Sequence, residues 1–80
     1  MRLDKYLKVS RIIKRRTLAN ELCDAGRVLM NGKTARASHP VQCGDIIELT
    51  MGQRTMKVKV KSIEEKTGKD LAREMYEVLP

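Results

Sequence analysis

The chain has 80 residues, with 17 Lys and Arg against 10 Asp and Glu, for a formal net charge of +7. A chain this short buries only about 60 to 65 % of its unfolded surface, enough for one modest core and too little for an added catalytic domain. No stretch approaches the roughly 20 apolar residues of a membrane span or the apolar core of a secretory leader, and two cysteines with one histidine fall short of a closed four-ligand zinc site. The expectation is a cytoplasmic protein without cofactor or metal that binds a polyanion.

The positive charge is concentrated at one end. Residues 1–16 hold seven bases (Arg2, Lys5, Lys8, Arg11, Lys14, Arg15 and Arg16) and one acid, Asp4, a net of +6, whereas residues 17–80 hold ten bases and nine acids. A charge run is commonly just a solvated face. Here, however, Leu3, Tyr6 and Leu7 follow the i, i+3, i+4 spacing of a helix, while Arg2, Lys5 and Lys8 project from another sector. The spacing predicts a helix over residues 2–9. Two turns are unstable alone, so tertiary packing must hold it.

Ser10 to Arg16 reads as a connection that carries a buried pair, Ile12 and Ile13, and ends in the basic triplet Lys14-Arg15-Arg16. Thr17 is suited to cap a second helix whose apolar face is Leu18, Leu22 and Cys23, with Ala19 and Ala25 allowing close approach and Gly26 ending it. A cap at Thr17 sets Arg15 and Arg16 beside a helix N-terminus, whose free N–H groups also favour phosphate.

After Gly26 the period changes. Val28 to Met30 reads as a strand, Asn31-Gly32 as a type I′ turn, and Lys33 to Ala35 as the return strand. Ser38 to Cys43 contains Pro40 and reads as a loop, and Gly44-Asp45 turns the chain into a strand over Ile46 to Met51. Gly52-Gln53 allows a hairpin into Thr55 to Ile63, where Met56, Val58 and Val60 alternate with Lys57, Lys59 and Lys61. Glu64 to Arg73 is read as a turn plus a short helix, and Met75 to Leu79 as a last strand. The fold expected is α+β: one small domain over residues 1–80, two N-terminal helices packed on a small, mostly antiparallel sheet.

The order helix, basic loop, helix ending at Gly26, Asn-Gly hairpin and Gly-Asp turn carries a resemblance. Arg2-Leu3-Asp4-Lys5-Tyr6-Leu7, Arg16-Thr17-Leu18-Ala19 with Leu22, Gly26-Arg27-Val28, the stretch VLMNGK and the stretch VQCGDI are together similar to the alpha-L RNA-binding domain first defined in ribosomal protein S-four. The resemblance covers about residues 2–49, with 50–80 as a C-terminal strand extension. One departure is Arg15-Arg16-Thr17, where the family often has Ser-Arg-Ser; the central arginine is kept and the cap conservatively altered. The resemblance implies that the two helices and the adjoining hairpin face RNA, with Arg2, Lys5, Lys8, Arg11, Lys14, Arg15, Arg16 and Thr17 as contacts and Arg2 and Arg16 foremost. Asp4 either orients a neighbouring arginine such as Arg16 by a bidentate pair or favours a helix N-terminus through the dipole.

A stand-alone domain that opens Met-Arg-Leu-Asp-Lys and continues Lys-Val-Ser-Arg-Ile-Ile-Lys-Arg-Arg-Thr-Leu-Ala is similar to members of that family serving bacterial ribosome-associated quality control, which have a small heat-shock relative. What this implies is a non-enzymatic, monomeric factor on the obstructed large ribosomal subunit. Its partners would be large-subunit rRNA, peptidyl-tRNA and an RqcH-type tailing factor whose C-terminal alanine tailing of stalled chains it assists. A heat-shock-type recycling factor for stalled large subunits is the near alternative. More distant ones are an RNA-modifying enzyme, a DNA-binding helix-turn-helix protein over Lys14 to Gly26, and an acidic-membrane binder, for which the basic helix lacks a large apolar face.

Composition also bears on how RNA is read. Sequence-specific single-strand binders stack splayed bases on aromatic platforms, and this chain has no Phe, no Trp and only Tyr6 and Tyr76. Tyr6 lies on the apolar side of its helix and is expected in the core, so recognition of phosphate and shape is favoured. The lysines at 57, 59 and 61 either widen the RNA footprint, contact a protein partner, or form the solvated outer face of an edge strand, where they deter unwanted pairing. His39 and Cys43 are expected to be neutral, and Cys23 to be helix core.

Overall fold

Helical spacing in the first segment produces helix α1, Leu3–Val9, and a second helix, α2, spans Arg16–Asp24. The computed structural model describes residues 1–64 and 68–80. Five strands follow: β1 (Val28–Met30), β2 (Lys33–Thr34), β3 (Ile46–Met51), β4 (Arg54–Val60) and β5 (Tyr76–Val78), with a short helix α3 (Lys69–Ala72) and a 3₁₀ turn (Arg73–Met75) before the last. The strands form one sheet in the order β2-β1-β3-β4-β5, and every adjacent pair is antiparallel. The expected turn over Glu64 to Arg73 falls partly outside the described residues.

Register puts the apolar residues on one face. Met30 pairs with Ile47 and Ile47 with Val58, while Val28 pairs with Leu49, and all five are buried in one cluster with Leu3, Tyr6 and Leu7 of α1 and Leu22 of α2. Each large side chain fully withdrawn from water contributes about 1.5 to 3 kcal/mol, which is what holds a two-turn helix that could not persist alone. The first-turn amides of α1 are met by carbonyls of the loop before β3: Leu3 N–H donates to His39 (2.9 Å) and Asp4 N–H to Ala37 (3.0 Å).

Several details differ from the sequence reading. Thr17 is not the cap of α2: Arg15 occupies that position, in extended conformation and without a side-chain cap, and Thr17 lies inside the first turn. The earlier start is stabilised by Arg16, which reaches from that turn to Asp4. The buried face of α2 is Ala19, Leu22 and Cys23; Leu18 is 42 % exposed because it lies to the side of that stripe, and Ala25 is exposed at the helix end. Ile13 is buried but Ile12 only half-buried. Strand β4 ends at Val60, and it is not an edge strand, since it pairs with both β3 and β5.

The turns follow the sequence closely. Asn31 (φ 53°) and Gly32 (φ 84°) form the tight turn between β1 and β2, and Asn31 ties it to the Gly44-Asp45 turn by donating to Asp45 Oδ1 (3.1 Å) and accepting from Ile46 N–H (2.9 Å). Helix α2 ends on Gly26 at φ 73°, with Arg27 N–H bonded to Leu22 and Gly26 N–H to Cys23 (both 3.0 Å). That is the paired arrangement of a Schellman cap.

Candidate nucleic-acid interface

The two helices meet at Asp4. Its side chain is only 2 % exposed, while those of Arg2 and Arg16 are 52 % and 48 % exposed. Arg2 lies at the cap of α1 and sends Nε to Oδ1 (3.2 Å) and Nη2 to Oδ2 (3.3 Å). Arg16, from the first turn of α2, sends Nε to Oδ2 (3.2 Å) and Nη2 to Oδ1 (3.4 Å). Asn20 Nδ2 donates to Oδ2 (3.2 Å) and the Lys5 backbone N–H to Oδ1 (2.8 Å). Both expectations for Asp4 therefore describe one group, since it sits in the first turn of α1 and also holds two forked cations.

Burial raises the pKa of the Asp4 carboxyl. The Arg16 hydrogen bond, the Lys5 N–H and the charges of Arg16 and Arg2 outweigh it, so the net shift is below the ordinary carboxylate value. Asp4 is thus an ionised, water-excluded anchor. Each guanidinium spends part of its donor fork on the anchor and keeps its other N–H groups for an outside anion. Two long side chains that would otherwise sample many rotamers are held in place before anything binds.

The other basic residues take different places. Lys8, Arg11 and Lys14 line a groove at the far end of α1, and Arg15 projects from the start of α2, exposed. Lys5 and Thr17 are exposed on α1 and α2. Tyr6 is fully buried and donates its hydroxyl to the Met75 carbonyl (2.7 Å), so it is unavailable for stacking; burial pushes its phenol well above the ordinary tyrosine value, with smaller contributions from Cys43 and Tyr76. Burial, then the charges of Asp4 and Asp24, pushes the Cys23 thiol up to about 11, an inert core group. Sequence reasoning missed Asn20, the fourth partner of Asp4, and Arg36, which shares a second groove with Arg2 and Asn20. A lone Asn on a helix gives no signal of its own, and Arg36 lies outside the basic run.

The family model for the S4 domain matches residues 1–47, the segment that holds both helices, the basic loop and the hairpin. The chain belongs to the S4 domain family. Curated S4 domain relatives extend the likeness to nearly the whole chain: it is 49 % identical over 79 residues to the RQC P-site tRNA stabilizing factor of Bacillus subtilis, covering 99 % of this chain and 92 % of the relative. The factor of the same name from Streptococcus pneumoniae is 48 % identical, with 99 % and 90 % covered. Among solved structures, trimeric heat shock protein 15 of Vibrio cholerae superposes with a TM-score of 0.91 at 31 % identity, over 99 % of this chain and 81 % of that one. The five-stranded sheet, C-terminal extension included, is thus shared with an S4 domain structure beyond the matched motif.

Proposed function

We propose that this S4 domain protein is a ribosome-associated quality-control factor that binds the obstructed large ribosomal subunit, touching rRNA and peptidyl-tRNA, and steadies the tRNA while a separate RqcH-type factor adds C-terminal alanines. The observation that carries the reading is the pair Arg2 and Arg16, pre-set on the buried Asp4, in a chain similar over 99 % of its length to factors named for stabilising P-site tRNA. A cationic surface in which Tyr6 is buried and Tyr76 half-buried offers little aromatic platform and suits phosphate and shape over base reading. The chemistry of tailing belongs to the partner in this scheme; the role of this chain is to hold register.

Co-sedimentation of wild type and Arg16→Ala with empty and peptidyl-tRNA-bearing large subunits tests the proposal. Wild type is expected to prefer the tRNA-bearing particle and Arg16→Ala to lose most of that binding. Equal binding of both proteins to both particles would remove Arg16 from the site and undercut the quality-control role. If roughly five phosphates are neutralised, the log–log salt slope should be about −4, and a slope near zero is incompatible with an electrostatic clamp.

A further inference from the structure

The C-terminal extension does more than complete the sheet. Arg73, in the 3₁₀ turn, and Tyr76, at the start of β5, line the same groove as Lys8, Arg11 and Lys14. Their position is fixed through Met75, one of the two residues between them. Met75 is fully buried, and its carbonyl accepts the Tyr6 hydroxyl (2.7 Å) and the N–H groups of Lys61 (2.8 Å) and Ser62 (3.1 Å). This pins the 73–76 segment against α1, so that four cations from two distant parts of the chain converge on one concavity whose lining, among the described residues, includes no acid.

A second observation concerns Arg11, whose φ is 62°. A long, unbranched cation rarely adopts this left-handed region, and such backbone is retained where the surrounding structure enforces it. Here Arg11 N–H bonds to Lys8 and Ile13 N–H to Leu7 (both 3.0 Å), closing a turn that sets Arg11 on the groove wall. Like charges gathered around a concavity focus positive potential into it. Helix α1 has seven residues, so at 1.5 Å rise per residue its ends lie roughly 10 Å apart. One end carries the Arg2–Arg16 cluster and the other this groove.

We propose that the groove is a second seat for the phosphodiester backbone of folded RNA, completed by Arg73 from outside the alpha-L motif. An RNA backbone running along α1 meets both seats. The identity of that RNA rests on the function proposed above, but the phosphate chemistry of the groove does not. An acidic peptide is disfavoured because, among the described residues, the groove pairs its cations with only Ile13 and Tyr76 as apolar wall, leaving little for peptide side chains to fill.

The test is a salt titration of binding by wild type, Arg73→Ala and Arg54→Ala, with two probes: large subunits carrying peptidyl-tRNA, and free folded tRNA. Arg73 is exposed and, among the described residues, has no side-chain partner, so its truncation leaves the core intact. Arg54 is likewise an exposed arginine, at the start of β4 and outside the groove, and controls for net charge. Arg73→Ala is expected to bind at least one probe several-fold more weakly, with a salt slope shallower by about 0.9, and Arg54→Ala to match wild type. Unchanged slopes for Arg73→Ala on both probes, or an equal loss in Arg54→Ala, would overturn the seat. So would a loss confined to a polyglutamate peptide, run in parallel as the competing ligand. If wild type ignores the subunits while tRNA binding depends on Arg73, the quality-control reading fails and the seat stands.

Discussion

Replacing Asp4 by Asn separates charge from pre-organisation, because the two predict opposite signs. The substitution is nearly isosteric and removes the only acid of residues 1–16, so net charge alone predicts tighter RNA binding. The geometry predicts the reverse. Oδ2 accepts from Asn20 and both arginines, and an amide cannot serve all of those donors, whichever way it is turned. Hydrogen bonds to a charged group contribute about 1.5 to 3 kcal/mol. Because both guanidiniums are half-exposed and regain water, the folding loss is taken near the low end, about 2 kcal/mol, or a melting shift of roughly 8 to 16 °C in a domain this size. Freeing two arginines adds about 0.5 to 1.5 kcal/mol each to the cost of ordering them on RNA, so affinity should fall roughly 5- to 150-fold. The assay is equilibrium binding to tRNA-bearing large subunits at several salt concentrations, well below the melting temperature checked by circular dichroism. Binding as tight as wild type, or tighter, would refute the anchor.

Acid provides an independent check on the same carboxylate. Its folded pKa is lowered from 3.8, so its contribution to stability is complete above that value and is lost as pH falls through the lower folded value. The stability gap between wild type and Asp4→Asn should stay level from pH 7 to about 5 and close only in the acid range below about 4; denaturant titrations in which the gap closed near pH 6 would contradict this. Tyr6→Phe should cost about 1 kcal/mol, a modest sum because the Met75 carbonyl keeps the Lys61 and Ser62 donors, and hydrogen exchange should show faster opening of β5 than of β3. Gly26→Ala should cost about 1 to 2 kcal/mol by chemical denaturation. That loss comes from the backbone at φ +73°, not from crowding, since the added carbon would lie an ordinary 3.8 Å from Thr34 Cγ2.

Where local rules decide, the sequence was readable. The i, i+3, i+4 pattern at Leu3, Tyr6 and Leu7, the Asn31-Gly32 turn, the stop at Gly26 and the alternation in β4 depend on residues close in the chain, and each has its counterpart in the fold. The errors arose where a distant partner decides. Thr17 is a better cap than Arg15 on local grounds, yet α2 already includes Arg16, whose side chain pairs with Asp4 twelve positions earlier. Leu18 looked apolar and therefore inward, but the small Ala19 is what faces the core. Strand order was equally hidden: nothing within Thr55 to Ile63 reveals that β5 returns to cover its far side, which makes the lysine row an interior strand's outer face and not an edge. The network at Asp4 was half legible, as a choice between two roles; Asn20 and the convergence of Arg73 with Lys14 required the third dimension.

The placement of charge explains why the cationic end folds at all. Seven bases within sixteen residues repel one another, and the chain manages this without diluting the surface. One buried acid serves Arg2 and Arg16 together, while Lys8, Arg11 and Lys14 are set at the opposite end of α1. The sheet follows the opposite strategy. Lys57 lies 3.7 Å from Glu48 across the β3–β4 register, and Lys59 stands opposite Glu77 on β5, so acids on both neighbouring strands face two of the three outer lysines. A partly exposed pair such as Lys57–Glu48 adds at most about 1 kcal/mol to stability, but it lowers the positive charge that face would offer a phosphate. The groove cations, without a facing acid among the described residues, are gathered on the side of α1, its following loop and the 3₁₀ turn. In the proposed role an RNA would be steered to that side, where Arg2 and Arg16 are already held in position.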